Sequence, residues 1–123
     1  MKGPFEARKH DEGDGVVRIS VHGEIDEDVG SALSLIIRNA AAQGGLRVLV
    51  IDLERCSFLA AAGVRSLLDG RRAAWERGCA YRVVNANGIV AQVLEAAGVP
   101  DLTHRLGVGA VSLDTSWWLR EGL

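Results

Sequence analysis

A chain of 123 residues fits one compact domain with a single core, since at this size roughly two-thirds of the unfolded surface can be buried on folding. Hydrophobic residues make up 48% and charged residues 24%, and no apolar run nears the roughly 18 residues of a membrane span, which argues against a membrane-inserted protein. Fourteen Lys plus Arg against sixteen Asp plus Glu leave a net charge of −2, with the basic residues scattered singly or in pairs, which argues against a nucleic-acid surface.

The opening "MKGPFEARKHDEGDG" is charged throughout and has no apolar h-region, so no secretory signal is read there and the expected location is the cytoplasm. "PFEARKHDEGDG" can supply an antiparallel strand that ends in the Gly/Asp turn at 11 to 15. "VVRISVHG" (16 to 23) alternates, with Val17, Ile19 and Val21 on one face and Arg18, Ser20 and His22 on the other, which is strand periodicity. Next, Val29, Ala32, Leu33, Ile36, Ile37 and Ala40 form the apolar stripe of a helix that ends before Gly44 and Gly45, with Asp26 or Asp28 as its cap. "LRVLVIDL" (46 to 53) is a nearly unbroken apolar run of strand length, expected in the middle of a sheet covered on both faces.

A second helix follows, with Val64, Leu67, Leu68 and Trp75 on one face, Arg65, Asp69, Arg72 and Glu76 elsewhere, and Gly78 as its stop. "CAYRVVNA" (79 to 86) reads as a further strand. Asn87 then caps a helix striped by Val90, Val93, Leu94 and Ala97, closed by Gly98 with Pro100 beyond. "HRLGVGAV" (104 to 111) is an edge strand or an extended loop, and Asp114 can cap a short last helix holding Trp117 and Trp118. Adjacent on a helix, these two point about 100° apart: one packs on the domain, while the other is free to cover the sheet edge or serve a contact, a homodimer included.

Alternating strands and helices call for parallel strands with helices packed on the sheet. In such a sheet the ligand or partner surface lies beyond the carboxyl ends of the strands. That names three stretches, Glu24 to Asp28, Glu54 to Ala62 and Asn85 to Gly88, expected to converge on one edge.

"GEID" (23 to 26) before an amphipathic helix, "VLVIDLERCSFLAAAGVRSLL" (48 to 68) and "AAGVPDL" (96 to 102) together resemble a STAS domain of the bacterial anti-sigma factor antagonist type. The likeness covers about residues 5 to 120, so the whole chain, 1 to 123, is expected to be a single STAS domain. The fold it implies is α/β: a mostly parallel mixed sheet of four to five strands with about four helices packed on it. In the family the middle piece commonly reads D-L-x-x-[VC]-x-F-[ILM]-D-S-[SA]-G. The resemblance implies that the unphosphorylated antagonist binds an anti-sigma factor that is also a serine kinase, so that a sigma factor is released, and that phosphorylation of the motif's serine breaks the complex.

Carried over by position, the family's Asp falls on Ala60, its phosphorylated Ser on Ala61 and the following small residue on Ala62, with Gly63 kept. Alanine offers neither a nucleophilic oxygen nor a place for the ≈ −1.5 to −2 charges of a phosphoserine beside a helix dipole. The expectation is therefore a partner-binding site formed by Glu24, Asp26, Ser57, Phe58, Ala60, Ala61, Ala62, Gly63 and Asn85, without phosphorylation control at Ala61. Ser57, in the approach loop, and Ser66, on the helix's polar face, are the candidate replacement acceptors. The same fold edge would also serve an alternative role, as a STAS accessory subunit docking on a bacterial transporter complex.

Catalysis is not expected. The strand-end loops offer Asp26, Asp52, Glu54, Cys56, Ser57 and asparagines but no histidine to act as a base. His10, His22 and His104 lie in different elements without metal spacing, "GVGA" lacks the Lys-Ser/Thr of a phosphate loop, and no cofactor is implied. Cys56 and Cys79 have no CxxC spacing and read as small core residues.

Overall fold

In the computed structural model, which describes residues 5–99, the chain starts with a hairpin. Strand β1 (Glu6–Gly13) runs antiparallel to β2 (Val16–Ile25). Gly13, Asp14 and Gly15 make the turn with φ of 91°, 54° and 80°, a left-handed path that glycine enters freely and aspartate more readily than most residues. Then follow α1 (Gly30–Ala41), β3 (Val48–Asp52), β4 (Cys56–Leu59), α2 (Ala61–Glu76), β5 (Ala80–Val84) and α3 (Gly88–Ala96). The segment expected as an edge strand at 104 to 111 and the helix expected from Asp114, with Trp117 and Trp118, lie outside the described residues.

The sheet is mixed, five-stranded and ordered β1-β2-β3-β5, with β3 parallel to both β2 and β5. Strand β2 is ten residues long and serves two partners. Val16 to Ser20 pair with β3, while Gly23, Glu24 and Ile25 pair in parallel with Cys56, Phe58 and Leu59 of β4. Strand β4 corrects the sequence-based expectation of a loop from Glu54 to Ala62. Four residues are too few to display an alternation, and what makes them a strand is pairing with a segment more than thirty residues earlier.

Val17, Ile19 and Val21 face the helices with Leu49, Ile51 and Leu53, and meet Leu33, Ile37, Leu67, Val90 and Leu94 in one core. Each such side chain contributes about 1.5–3 kcal/mol when fully buried. On the opposite face of the sheet Val16, Val48 and Val50 form a smaller cluster. Both faces of β3 are thus apolar, as its sequence required. Among the described residues no helix is long and apolar enough to cross a membrane.

The helical stripes differ from their expected composition. In α1 the buried face is Gly30, Leu33, Ser34, Ile37, Ala40 and Ala41, while Ala32 is exposed. In α2 it is Ala62, Gly63, Val64, Ser66, Leu67, Gly70 and Ala74, and Trp75 is 80% exposed. The reason is a seam between the two helices made of small residues. A Cβ on Gly30 would stand 2.6 Å from Ala62 Cβ, and one on Gly70 would run into Ile37 and Tyr81. Such close approach needs glycine, alanine and serine, which a search for large apolar residues passes over. Trp75 lies one residue, about 100°, beyond the 63, 67, 70 and 74 row.

Ser66, expected on the polar face, is 2% exposed. Its Oγ lies 2.6 Å from Gly30 O and 2.9 Å from Ala62 O, so its one proton is shared between two carbonyls across the seam. Ser34 Oγ likewise donates to Asp69 Oδ2 at 3.1 Å.

Tyr81, the chain's one tyrosine, donates its phenol to Leu67 O at 2.8 Å, and burial pushes the phenol well above its ordinary range. An unfolded tyrosine ionises near pH 10 while the folded one stays protonated, so the unfolded state loses its proton first. The contribution is constant below about pH 10 and falls by up to about 1.4 kcal/mol per pH unit above it. In an alkaline titration the tyrosinate absorbance should therefore rise together with loss of the helical circular dichroism signal. A tyrosinate band appearing near pH 10 in still-folded protein would contradict this placement.

Both cysteines are free. Cys56 is buried with its thiol on Phe58 O at 3.4 Å, and burial pushes that thiol up. Cys79 is half-buried, on Leu46 O at 3.2 Å.

Candidate functional site

The pairing of β2 with β4 is what assembles the site. Because the strands are parallel their carboxyl ends emerge together: Glu24 lies opposite Phe58, Ile25 opposite Leu59, and Ala60 N donates to Ile25 O at 2.8 Å. From there each strand leads within a few residues into a helix. Asp26 Oδ1 accepts from Asp28 N at 3.0 Å and Val29 N at 3.3 Å, tying down the turn that enters α1. The N-cap position itself is Val29, which has no side chain to bond, so of the two aspartates Asp26 does the work and does it from outside the helix. The contact of Gly30 with Ala62 then locks the first turns of α1 and α2 side by side. Glu27 and Arg65 bridge the same rim at 3.6 Å, an exposed pair that contributes little energy.

At the tip of α2, Ala60 occupies the N-cap position with φ −83° and ψ 174°, the extended backbone usual for a cap, but without a side-chain bond. Its carbonyl accepts from Gly63 N at 2.9 Å and Val64 N at 3.2 Å. The first turn carries no acidic residue. Ala60 is half-buried and Ala61 exposed. Ala62 and Gly63 are not at the surface: Ala62 is in the helix seam, and a Cβ on Gly63 would strike Leu59 and Ile25. They set the shape of the tip without facing outward, which corrects their expected place among surface contacts.

Aspartate at position 60 should supply the missing cap. Ala60→Asp is expected to raise stability by about 1 kcal/mol, since the backbone already has cap geometry and a carboxylate suits a helix N-terminus. Urea denaturation would read this as a higher midpoint at an unchanged slope. An unmoved midpoint would mean the first-turn N–H groups are already satisfied.

The remaining expected residues divide. Ser57 is exposed, Phe58 is exposed at 41%, and Glu24 and Asp26 are half-buried, so all four border the tip. Asn85 takes a positive φ of 63° and donates from Nδ2 to Asp52 Oδ1 at 3.0 Å, an oxygen that also accepts Glu54 N. It is tied to the end of β3 instead of to residues 60 to 62. Asn87 stands at the N-cap of α3 without the expected side-chain bond. Ile89, on the first turn of α3, is 49% exposed, and α3 packs against β4, the strand that carries Phe58. Sequence reasoning passed over Ile89, although its position off the 90, 93, 94 and 97 stripe marks it as facing away from the core.

A serine and a histidine do meet on the other face of the sheet, where Ser20 Oγ lies 3.4 Å from His10 Nε2. Arg18 Nη1 donates to the same hydroxyl at 2.8 Å and reaches Asp52, while Arg18 Nε bonds Glu12. This is a salt-bridged surface, since the hydroxyl already accepts from a guanidinium and the imidazole is at the limit of bonding distance. Among the described residues no group of three or more His, Cys, Asp or Glu could hold a metal ion.

The chain matches the family model described as "Mlab, STAS domain" over residues 9–106. Among solved structures it resembles the anti-sigma factor antagonist SpoIIAA in its unphosphorylated form, with a TM-score of 0.75 and 18% identity over 94% of this chain and 95% of that one. It also resembles an anti-sigma factor antagonist from Mycobacterium paratuberculosis, with a TM-score of 0.70 and 24% identity over 96% and 93%. A sulfate transporter family protein from Wolinella succinogenes aligns with a TM-score of 0.59 and 16% identity over 69% and 68%. No curated protein matches at a significant level. Identities this low show a shared fold, the five-stranded α/β arrangement described above.

Proposed function

Because the chain belongs to the STAS domain family, we propose that it is a cytoplasmic, non-enzymatic binding module of the anti-sigma factor antagonist kind. It docks on an anti-sigma factor of the serine kinase type and so frees a sigma factor, touching neither nucleic acid nor membrane itself. The observation that carries this reading is that two antagonist structures align with nearly the whole of this chain and of their own. The docking edge is the α2 tip with its borders: Glu24, Asp26, Ser57, Phe58, Ala60 and Ala61, with Asn85 at its far margin. Exposed Phe58 beside exposed Ala61 supports a contact governed by shape, since it offers apolar surface and no charge at the centre.

Ala61 stands, in this reading, where the family's phosphorylated serine would be. It is exposed on the first turn of α2 and has no oxygen to modify, so the complex is not switched there. Ser66 is no substitute, with its hydroxyl buried in the helix seam. Ser57 is exposed and is the acceptor to watch. Incubated with ATP and the cognate kinase, the protein should keep its mass and Ala61→Ser should gain one phosphate. A phosphate on Ser57 of the unaltered chain would end the unswitched reading.

The direct test is affinity capture with the full chain as bait. An ATPase-fold anti-sigma factor as the retained protein supports the proposal. The likeness to a sulfate transporter family protein favours one other reading, an accessory subunit on a transporter complex. Retention of a permease or its ATPase would decide for that one.

A further inference from the structure

Strand β1 is the outermost strand of the described sheet, and its partner there is β2. Its far side carries a row of backbone N–H and C=O groups of the kind that another strand can pair with. Charges and bulges commonly blunt such an edge, and β1 has both. Glu6, Arg8, Lys9, His10, Asp11 and Glu12 lie within eight residues, and the register with β2 shifts between Asp11 and Gly13. Mixed charge, however, repels or attracts according to what is laid against it.

In an antiparallel ladder, residues directly opposite one another both turn their backbone groups into the shared edge or both turn them away. Alternate β1 residues already use theirs on β2. Two copies related by a two-fold axis can therefore pair only residues of equal parity, which leaves a few registers. Centred on Arg8, Lys9, Asp11 or Glu12, each register sets a charge against itself at the axis, and the one centred on Lys9 also sets Glu6 against Glu12; the one centred on Ala7 opposes Glu6 to Arg8 but spans only three residues of the strand. Centred on His10, Lys9 faces Asp11 and Arg8 faces Glu12, each twice by symmetry.

We propose that β1 is a self-complementary edge through which two copies of this chain pair antiparallel about His10. The pairs formed inside each copy favour this register. Arg8 Nε bonds Glu6 at 2.7 Å, and Arg18 Nε bonds Glu12 at 2.9 Å. Joining the edges adds contacts between Arg8 and Glu12 without breaking either bond, and makes a row of alternating sign from Glu6 and Arg8 to Glu12 and Arg18 of the second copy. Networks of this kind are more effective than isolated surface pairs. With Ala7 the strand's one apolar residue, the dimer is weak and salt-sensitive. This inference is independent of the anti-sigma reading.

Sedimentation velocity on the full chain, at low salt and pH 8 over a range of concentrations, tests it. The unaltered protein should dimerise with rising concentration and dissociate on added salt. Lys9→Asp, which removes no described bond within the chain, sets Asp against Asp twice and should weaken the dimer by at least about tenfold. Asp11→Lys should do the same. Mixing these two single variants, or combining both substitutions in one chain, rebuilds every opposed pair and should restore dimerisation. Circular dichroism checks the fold of each, since Asp11 Oδ1 also accepts Gly13 N at 3.0 Å. A protein monomeric at every concentration, its edge taken by another part of its own chain, overturns the proposal. So does a dimer indifferent to Lys9→Asp, or one not recovered by the charge exchange.

Discussion

Ala61→Glu is expected to weaken capture of the proposed anti-sigma partner by roughly 10²-fold or more while leaving the fold intact. The fold survives because Ala61 is exposed on the first turn of α2, which carries no acidic residue of its own and where a carboxylate meets the positive end of the helix dipole. Binding does not, because an unpaired charge at the centre of a closed interface loses its water and finds no partner. Ala61→Ser is the control, adding a small neutral hydroxyl, and should bind about as well as the unaltered protein. The measurement is titration calorimetry against the captured partner. Equal affinity for Ala61→Glu and the unaltered chain would put the tip outside the contact, whatever the partner is.

The largest loss of stability is expected from Gly30→Val. Its Cβ would meet Ala62 Cβ at 2.6 Å and the Ala62 carbonyl carbon and oxygen at 3.1 Å, and backbone cannot swing aside as a long side chain can. The two helices must part, which also draws Gly30 O away from the buried Ser66 hydroxyl. Overpacking and a weakened buried hydrogen bond together cost about 3 kcal/mol. Urea denaturation reads the loss. Adding Ala62→Gly, which removes the atom first struck, should recover part of it, whereas two independent sites would only add their losses. Since the seam also holds the first turns of α1 and α2 together, the pair tests whether the docking edge and the stability of the fold share one joint.

Most of the fold could be read before any coordinates. Val17, Ile19 and Val21 alternate as a strand with one buried face, the run through 48 to 53 is apolar on both, and each glycine stop lies near the helix end it was taken to mark. These are local patterns, and the strand core they imply is the core found. The second helix shows where such patterns end. Trp75 reads as a core residue and is exposed, and Ser66 reads as polar surface and is buried, because burial on α2 is set by how closely another helix approaches. Strand β4 and the tie of Asn85 to Asp52 were illegible for the same reason: each depends on residues far away in sequence.

By itself the amino-acid order determined the succession of strands and helices, the parallel core of the sheet and an α2 start that has three alanines where a cap would be expected. These follow from side-chain periodicity and chemistry within a few residues. Only the tertiary structure decided that Ala61 faces outward while Ala62 and Gly63 lie beneath it, and that Asp26 stands beside them and Asn85 one strand end away. Those outcomes rest on the pairing of β2 with β4 and on a helix seam narrow enough to admit only the smallest side chains, and close packing between distant segments leaves no periodic mark in either of them.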